Sequence, residues 1–362
     1  MLYYLLYPLK DLWFGFNVFR YITFRAAMAS ITAFLLSVIL GPFIIRMLSR
    51  LKVGEVTRRE HVEDLYQLHK HKEGTPTMGG IIIILSVVIS TLIWARLDNP
   101  FIIMCLITVL WLGIVGFIDD YLKLIKTKTL GLSALAKFTG QLILGVAFAL
   151  YLYFSNDIST ELYVPFLKNA VINLGIFYFF FVILVVVGAS NAVNMTDGLD
   201  GLAIGCISFI ALTYSVICYL TGNAVFSSYL NIYYLVGSGE LTVFCACLVG
   251  SGLGFLWFNS YPATIFMGDT GSLPLGGAIG LVSVLIKKEL LLVIAGGIFI
   301  AEILSVILQV ASLKFFGKRI FLMAPLHHHL QLKGWPESKI TARFWIVALI
   351  LSLFSLATLK LM

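Results

Sequence analysis

Charge is scarce in this chain: of its 362 residues only 12% are Asp, Glu, Lys or Arg, against 60% apolar. With a mean hydropathy of +0.99, too little polar surface remains to clothe a soluble fold of this length, which excludes a water-soluble enzyme or binding module. Cysteine is equally sparse. All five, Cys105, Cys206, Cys218, Cys245 and Cys247, fall inside apolar runs, a pattern of small packing residues and not of a disulfide framework or thiolate metal site. No small-residue cleavage site follows the aromatic first 23 residues, which hold Tyr3, Tyr7, Trp13, Phe14 and Tyr21; the stretch is expected to lie at a membrane interface and not to be a signal peptide. No internal repeat and no soluble insertion breaks the chain. The net charge of +7 follows membrane topology and gives no support to nucleic-acid binding.

What the chain has in abundance is long apolar runs. Taking stretches of about 20 residues as membrane spans gives ten, at residues 24–48, 77–97, 101–119, 134–154, 172–190, 199–220, 240–257, 264–286, 290–316 and 342–361. The fold class expected is therefore an all-α polytopic membrane protein, with residues 1–362 forming one integral domain. An even number of spans puts both termini on one side. The loops at 46–76, 119–137 and 314–343 carry 17 of the 25 Lys and Arg, so those loops are cytoplasmic and both termini lie outside.

Five carboxylates then gather at the inner edge of the membrane: Asp119 and Asp120 in GFIDDYLK, Asp197 and Asp200 in NAVNMTDGLDG, and Asp269 in IFMGDTGS. Two acids at the end of the third span oppose the helix macrodipole and call for a cation or a basic partner. Adjacent helical residues point about 100° apart, so one of the two can face a site while the other meets a neighbour. Asn194, Asp197 and Asp200 recur every three residues and would share one face if the sixth span began there. Capping accounts for one such Asp. It does not account for Asn191, Asn194 and both acids beside Gly198 and Gly201. Asp269 follows Gly268 at the expected start of the eighth span, where free N–H groups suit a phosphate and the carboxylate suits Mg2+. No Gly-Lys-Ser/Thr follows, so this is not a nucleotide-binding loop of the Walker type. Five like charges cannot share one small site uncompensated, and Mg2+ with one or two of them as ligands resolves the repulsion.

The basic loops supply the complement. His69, Lys70, His71 and Lys72 precede Thr77 at the start of the second span, and Lys123 follows the acidic pair. His327, His328 and His329 are consecutive, a spacing that rarely converges on one ion; hydrogen bonding to phosphate or sugar oxygens suits them better. Glu302, Ser305 and Gln309 form a polar stripe inside the ninth span. Such a stripe marks either a functional site or a clamp between helices.

Taken in order, KEGTPTMGG, GFIDDYLK, NAVNMTDGLDGLA, NSYPATIFMGDTGSLPLGG and APLHHHLQLKGW resemble the polyprenyl-phosphate N-acetylhexosamine-1-phosphate transferase superfamily, and most of all its muramoyl-pentapeptide branch, which the HHH segment marks. The resemblance runs from about Lys72 to Trp335. It implies Mg2+-dependent transfer of phospho-N-acetylmuramoyl-pentapeptide from UDP-N-acetylmuramoyl-pentapeptide to undecaprenyl phosphate, releasing UMP, in a bacterial inner membrane, by a homodimer among membrane lipid. By the same likeness Asp269 is the metal-binding acid, and Asp119 and Asp120 are the acidic pair beside the lipid phosphate. Asn191, Asn194, Asp197 and Asp200 map to the nucleotide-sugar site, with Lys72, Thr77, Lys123, Asn259, Gly268 and the three histidines around it. Leu330-Gln331 stands where Phe-Glu is frequent, and Gln cannot supply a carboxylate's charge. A transferase for UDP-N-acetylglucosamine is the alternative within the class, which the HHH segment disfavours. A transporter of phosphorylated compounds is the alternative outside it, and the placement of the acids on one face disfavours that. A lipid tail would need an apolar groove, for which the eighth and ninth spans are the expected wall.

Overall fold

A computed structural model describes residues 1–50, 72, 74–125, 131–155, 159–166 and 171–361; His69, Lys70 and His71 lie outside them. Its framework is α1 (Ile22–Arg50), α2 (Gly80–Trp94), α3 (Pro100–Ile125), α4 (Ala134–Ser155), α5 (Phe177–Thr196), α6 (Leu202–Thr221), α7 (Leu241–Asn259), α8 (Asp269–Leu285), α9 (Gly297–Phe316) and α10 (Glu337–Ala357). Each lies on one of the ten apolar stretches expected. The ninth stretch is interrupted at Gly296, which separates a short helix, Glu289–Ala295, from α9. A two-stranded antiparallel hairpin, Glu161–Tyr163 with Val171–Asn173, is the one sheet among the described residues. All five cysteines are buried and unbridged, in keeping with a packing role.

Eight of the helices are long and apolar enough to cross a membrane among the described residues, and the chain is a multi-pass membrane protein. The exceptions are α2 and α8, with 15 and 17 residues. At 1.5 Å per residue they reach about 22 and 25 Å, short of a hydrocarbon core of about 30 Å. The chain that leads into each is not helical. Phe266 donates to the Pro76 carbonyl (2.8 Å), Gly79 to Phe266 (2.8 Å) and Gly80 to Met267 (2.9 Å). Non-helical backbone is tolerated at such depth because these bonds satisfy it inside the protein.

The axis of the bundle is α8, buried from Thr270 to Leu285. Its glycines let neighbours approach to backbone distance, the usual device for packing helices in lipid. A Cβ added to Gly80 of α2 would fall 2.1 Å from the Gly271 nitrogen, and one added to Gly276 would fall 2.4 Å from the Ala189 carbonyl of α5. Enclosed in this way, the eighth span does not wall an open lipid groove as expected. By contrast α9 leaves Leu304, Ile307, Leu308 and Val310 exposed.

At the bundle end holding the start of α1 and the end of α2, Arg25 is buried and forms a two-pronged pair with Glu240. Its Nη1 lies 2.7 Å from Oε2 and its Nη2 2.5 Å from Oε1. Nη1 also donates to the Trp94 carbonyl (3.2 Å), and the Arg96 N–H donates to Glu240 (3.2 Å). This pair ties α1, α2 and α7 together. Removing one partner leaves a desolvated charge without compensation. Glu240→Ala should therefore cost about 3–5 kcal/mol, seen as a lower unfolding midpoint in detergent, and the double variant Arg25→Leu/Glu240→Leu should recover most of it. A single variant as stable as the parent would contradict the pairing.

Candidate active site

The opposite end of the bundle collects the polar motifs. Toward its C-terminus α3 carries Asp119 and Asp120, and α8 begins at Asp269; one oxygen from each of the three acids lies within 4.8 Å of the others. Asp119 and Asp120 are only 2% and 3% exposed. The cation that two acids near a helix end require is present as two lysines. Lys123 Nζ lies 2.6 Å from Asp119, 3.3 Å from Asp120 and 2.8 Å from Asp269. Lys137, in the first turn of α4, lies 2.7 Å from Asp269 and 3.9 Å from Asp119.

The neighbouring acids of α3 diverge as helix geometry demands. Asp120 Oδ2 accepts the Thr270 N–H (2.9 Å) and hydroxyl (2.7 Å), so it caps α8 from another helix and fixes where that helix begins. Asp119 instead accepts the Leu132 N–H (2.7 Å). Gly268 closes the junction with φ +71°, and a Cβ there would meet Asp120 Oδ2 at 2.6 Å and Thr77 Oγ1 at 3.1 Å. Only glycine accepts both the backbone and the crowding. Part of the expected phosphate cradle is thus already used, since the Thr270 N–H belongs to Asp120.

The expectation that Asn194, Asp197 and Asp200 share a face of the sixth span does not hold. Helix α5 continues to Thr196, Asp197 closes it, and α6 starts only at Leu202, because Gly201 turns the chain at φ +71°. Asn194 therefore faces Asp269, donating to Oδ1 (2.5 Å) and to Ser272 Oγ (2.8 Å). Asp200 turns to a second cluster. There Lys72 Nζ lies 2.7 Å from Asp200 and 2.6 Å from Glu337. Burial alone would lower the pKa of Lys72, but Glu337 and Asp200 outweigh it and hold the ammonium above the ordinary lysine range. Asp200 Oδ2 accepts the Ala263 N–H (2.9 Å). Asn259 accepts the Gly201 N–H (3.0 Å) and donates to the Ile265 carbonyl (2.8 Å). The segment 260–268 therefore joins the two clusters, meeting Asp200 at one end and Asp120 and Thr77 at the other.

Other candidates are held elsewhere. Asn191 donates to Gln141 of α4 (2.7 Å) and pins two helices. The histidines lie on a short helix, Leu326–Leu332, and part company. His327 is fully buried with Nδ1 3.2 Å from Glu302, and a Cβ on Gly198 would meet its Nε2 at 2.3 Å. His328 Nδ1 lies 2.8 Å from Gln331 Oε1, while His329 Nδ1 accepts the Leu322 N–H (3.1 Å). The polar stripe of α9 meets this returning segment: Glu302 accepts the His327 N–H (3.2 Å), and Gln309 accepts those of Ile320 (3.1 Å) and Phe321 (2.9 Å). Two members escaped the reading of the sequence. Lys137 counted only as topological charge, although a lysine opening an apolar span four residues before Gln141 was a signal. Glu337 follows a proline at a helix start, where an acid is ordinary, and so carried none.

The three carboxylates form a group that could hold a metal ion, and one or two of them would suffice for Mg2+, which fills its remaining positions with other oxygens; the lysines show how much positive charge the cluster attracts. The profile of glycosyl transferase family 4 matches residues 102–287, and signature 1 of phospho-N-acetylmuramoyl-pentapeptide-transferase matches residues 72–84. The chain is 52% identical to the phospho-N-acetylmuramoyl-pentapeptide-transferase of Citrifermentans bemidjiense, over 99% of both chains. It is also 52% identical to the protein of that name from Desulfotalea psychrophila, over the full length of both.

The approach of α3 to α8 can be tested apart from any charge. A Cβ on Gly116 would fall 2.2 Å from the Asp269 carbonyl, whereas one on Gly188 meets nothing within 4 Å. Gly116→Ala should destabilise by about 1–3 kcal/mol through overpacking, and Gly188→Ala should be neutral, as read by thermal unfolding. Equal effects of the two substitutions would contradict the close approach.

Proposed function

The chain belongs to the phospho-N-acetylmuramoyl-pentapeptide-transferase family, and from that premise we propose that it transfers phospho-N-acetylmuramoyl-pentapeptide from its UDP carrier to undecaprenyl phosphate, forming a lipid-linked peptidoglycan precursor. The observation that carries the chemistry is the convergence of Asp119, Asp120 and Asp269 on Lys123 and Lys137. In this reading all ten helices cross the inner membrane of a bacterium, both termini lie outside, and the charged end faces the cytoplasm. The soluble donor and the lipid acceptor meet there, and the enzyme works as a homodimer.

Both substrates are anionic, so the first task is neutralisation. In this scheme Lys123 and Lys137 meet the charge that develops on the diphosphate. Asp269 would hold Mg2+ with help from Asp119 or Asp120. When bound, the ion supplies positive charge to the diphosphate and the departing UMP. An oxygen of the lipid phosphate attacks the β-phosphorus of the donor, the bond from that phosphorus to the UMP oxygen breaks, and a new diphosphate linkage joins lipid to sugar. Asp120 is engaged twice by Thr270 and Asp119 by Leu132 and Lys123; Asp119 or Asp120 accepts any proton from the incoming phosphate. That phosphate is mostly ionised near neutral pH, so the demand on either acid is small. Lys72, Thr77, Asn194, Asp197, Asp200, Asn259 and the histidine segment line the donor site in this scheme.

The purified protein with polyprenyl phosphate and Mg2+ should release UMP from UDP-N-acetylmuramoyl-pentapeptide and not from UDP-N-acetylglucosamine. Chelation should abolish release, and Asp269→Ala should lower it by roughly 100-fold or more. Turnover of the second donor alone would overturn the assignment of substrate, and undiminished turnover after chelation would overturn that of Mg2+.

A further inference from the structure

The last helix lies outside both matched segments, which cover residues 72–84 and 102–287, yet it grips the candidate donor site three times. Glu337, Thr341 and Trp345 are four residues apart and so share one face of α10. Glu337 Oε1 accepts the Asp200 N–H (2.6 Å), the Thr341 hydroxyl donates to the Asp200 carbonyl (3.2 Å), and the Trp345 indole N–H donates to the Gly201 carbonyl (3.1 Å). One acceptor and two donors thereby satisfy three backbone groups of a turn that belongs to no helix. The same Glu337 oxygen accepts Lys72 Nζ (2.6 Å), whose other partner is Asp200 Oδ1 (2.7 Å). The Glu337 side chain is 7% exposed, so its bonds compete little with water. Gly205 lies under the indole, where a Cβ would fall 2.0 Å from Trp345 Nε1, so the ring cannot lift away without opening a gap.

We propose that Glu337, Thr341 and Trp345 of α10 are positioning residues for the nucleotide-sugar donor: the ladder fixes the Asp200–Gly201 turn, and Glu337 holds Lys72 against Asp200 in the arrangement that receives the donor. The inference rests on the reading of Lys72 and Asp200 as donor-site residues. A purely structural role for α10 would need only apolar packing against α6. It would not require a buried carboxylate shared between a backbone N–H and a lysine from a distant part of the chain.

The test is the kinetics of UMP release by the full chain in detergent, with donor and polyprenyl phosphate varied separately. Glu337→Ala and Glu337→Gln should raise KM for the donor by about tenfold, leave KM for the lipid unchanged and keep kcat within about threefold. Trp345→Phe, which keeps an aromatic side chain but loses the indole N–H and the five-membered ring, should move donor KM in the same direction and serves if Glu337→Ala does not fold. In a Lys72→Ala background, Glu337→Ala should change donor KM no further, because the two act as a unit. An unchanged donor KM in folded Glu337→Gln and Trp345→Phe overturns the proposal, as does an activity that falls only in step with the folded fraction. Lys72→Ala with a normal donor KM would remove the donor-site reading itself and the proposal with it.

Discussion

Backbone contact between helices is the constraint on which this site depends. The acids that converge come from α3 and α8, 149 positions apart in the sequence, and carboxylates are short. They can share a pocket only if the helices carrying them nearly touch. Gly116 of α3 permits that, since a side chain there would collide with the Asp269 backbone, while Gly80 and Gly271 let α2 close against the same end of α8. Asp120 then finishes what the glycines allow by capping α8. The same residue is thus part of the acidic cluster and part of what builds it.

Electrostatics divides the polar end of the bundle into two groups of mixed charge. Around Asp269 three carboxylates face two lysines; around Lys72 one ammonium faces two carboxylates. Neither group is neutral, and both leave negative charge in a place where hydration is poor. In the function proposed above, a cation joins the first group, where three carboxylates converge. The second is built chiefly from hydrogen bonds to backbone, which hold Asp200 from several sides.

Apolar length and the motifs between the runs carried nearly all of the helical framework and most of the first cluster. Asp119, Asp120 and Asp269 were legible because acids at the ends of apolar runs are costly and must be explained. Where the sequence misled was in local breaks. The period of three in Asn194, Asp197 and Asp200 looks helical, but Gly201 ends the regularity and sends Asn194 and Asp200 to different clusters. Glu302 and Gln309 gave a stripe without a partner, and only the fold shows that the segment returning to the histidines is what the stripe meets. Glu337 was invisible for the opposite reason, since an acid opening a helix after proline is unremarkable until a distant lysine is seen beside it.

The shortness of α2 and α8 has a consequence for the surrounding lipid. Two helices about 5–8 Å shorter than a full crossing begin at the polar end, and in the membrane placement proposed above this makes the polar pocket a depression in the hydrocarbon and not a platform above it. A phosphate borne on a lipid can descend into such a hollow while its chain stays in the leaflet. The depth of the hollow is set by protein, whereas the height of the surrounding rim is set by acyl chains. Membranes of different thickness therefore present the same pocket at different distances from the headgroups, and the lipid environment becomes one of the variables that govern how easily the acceptor arrives.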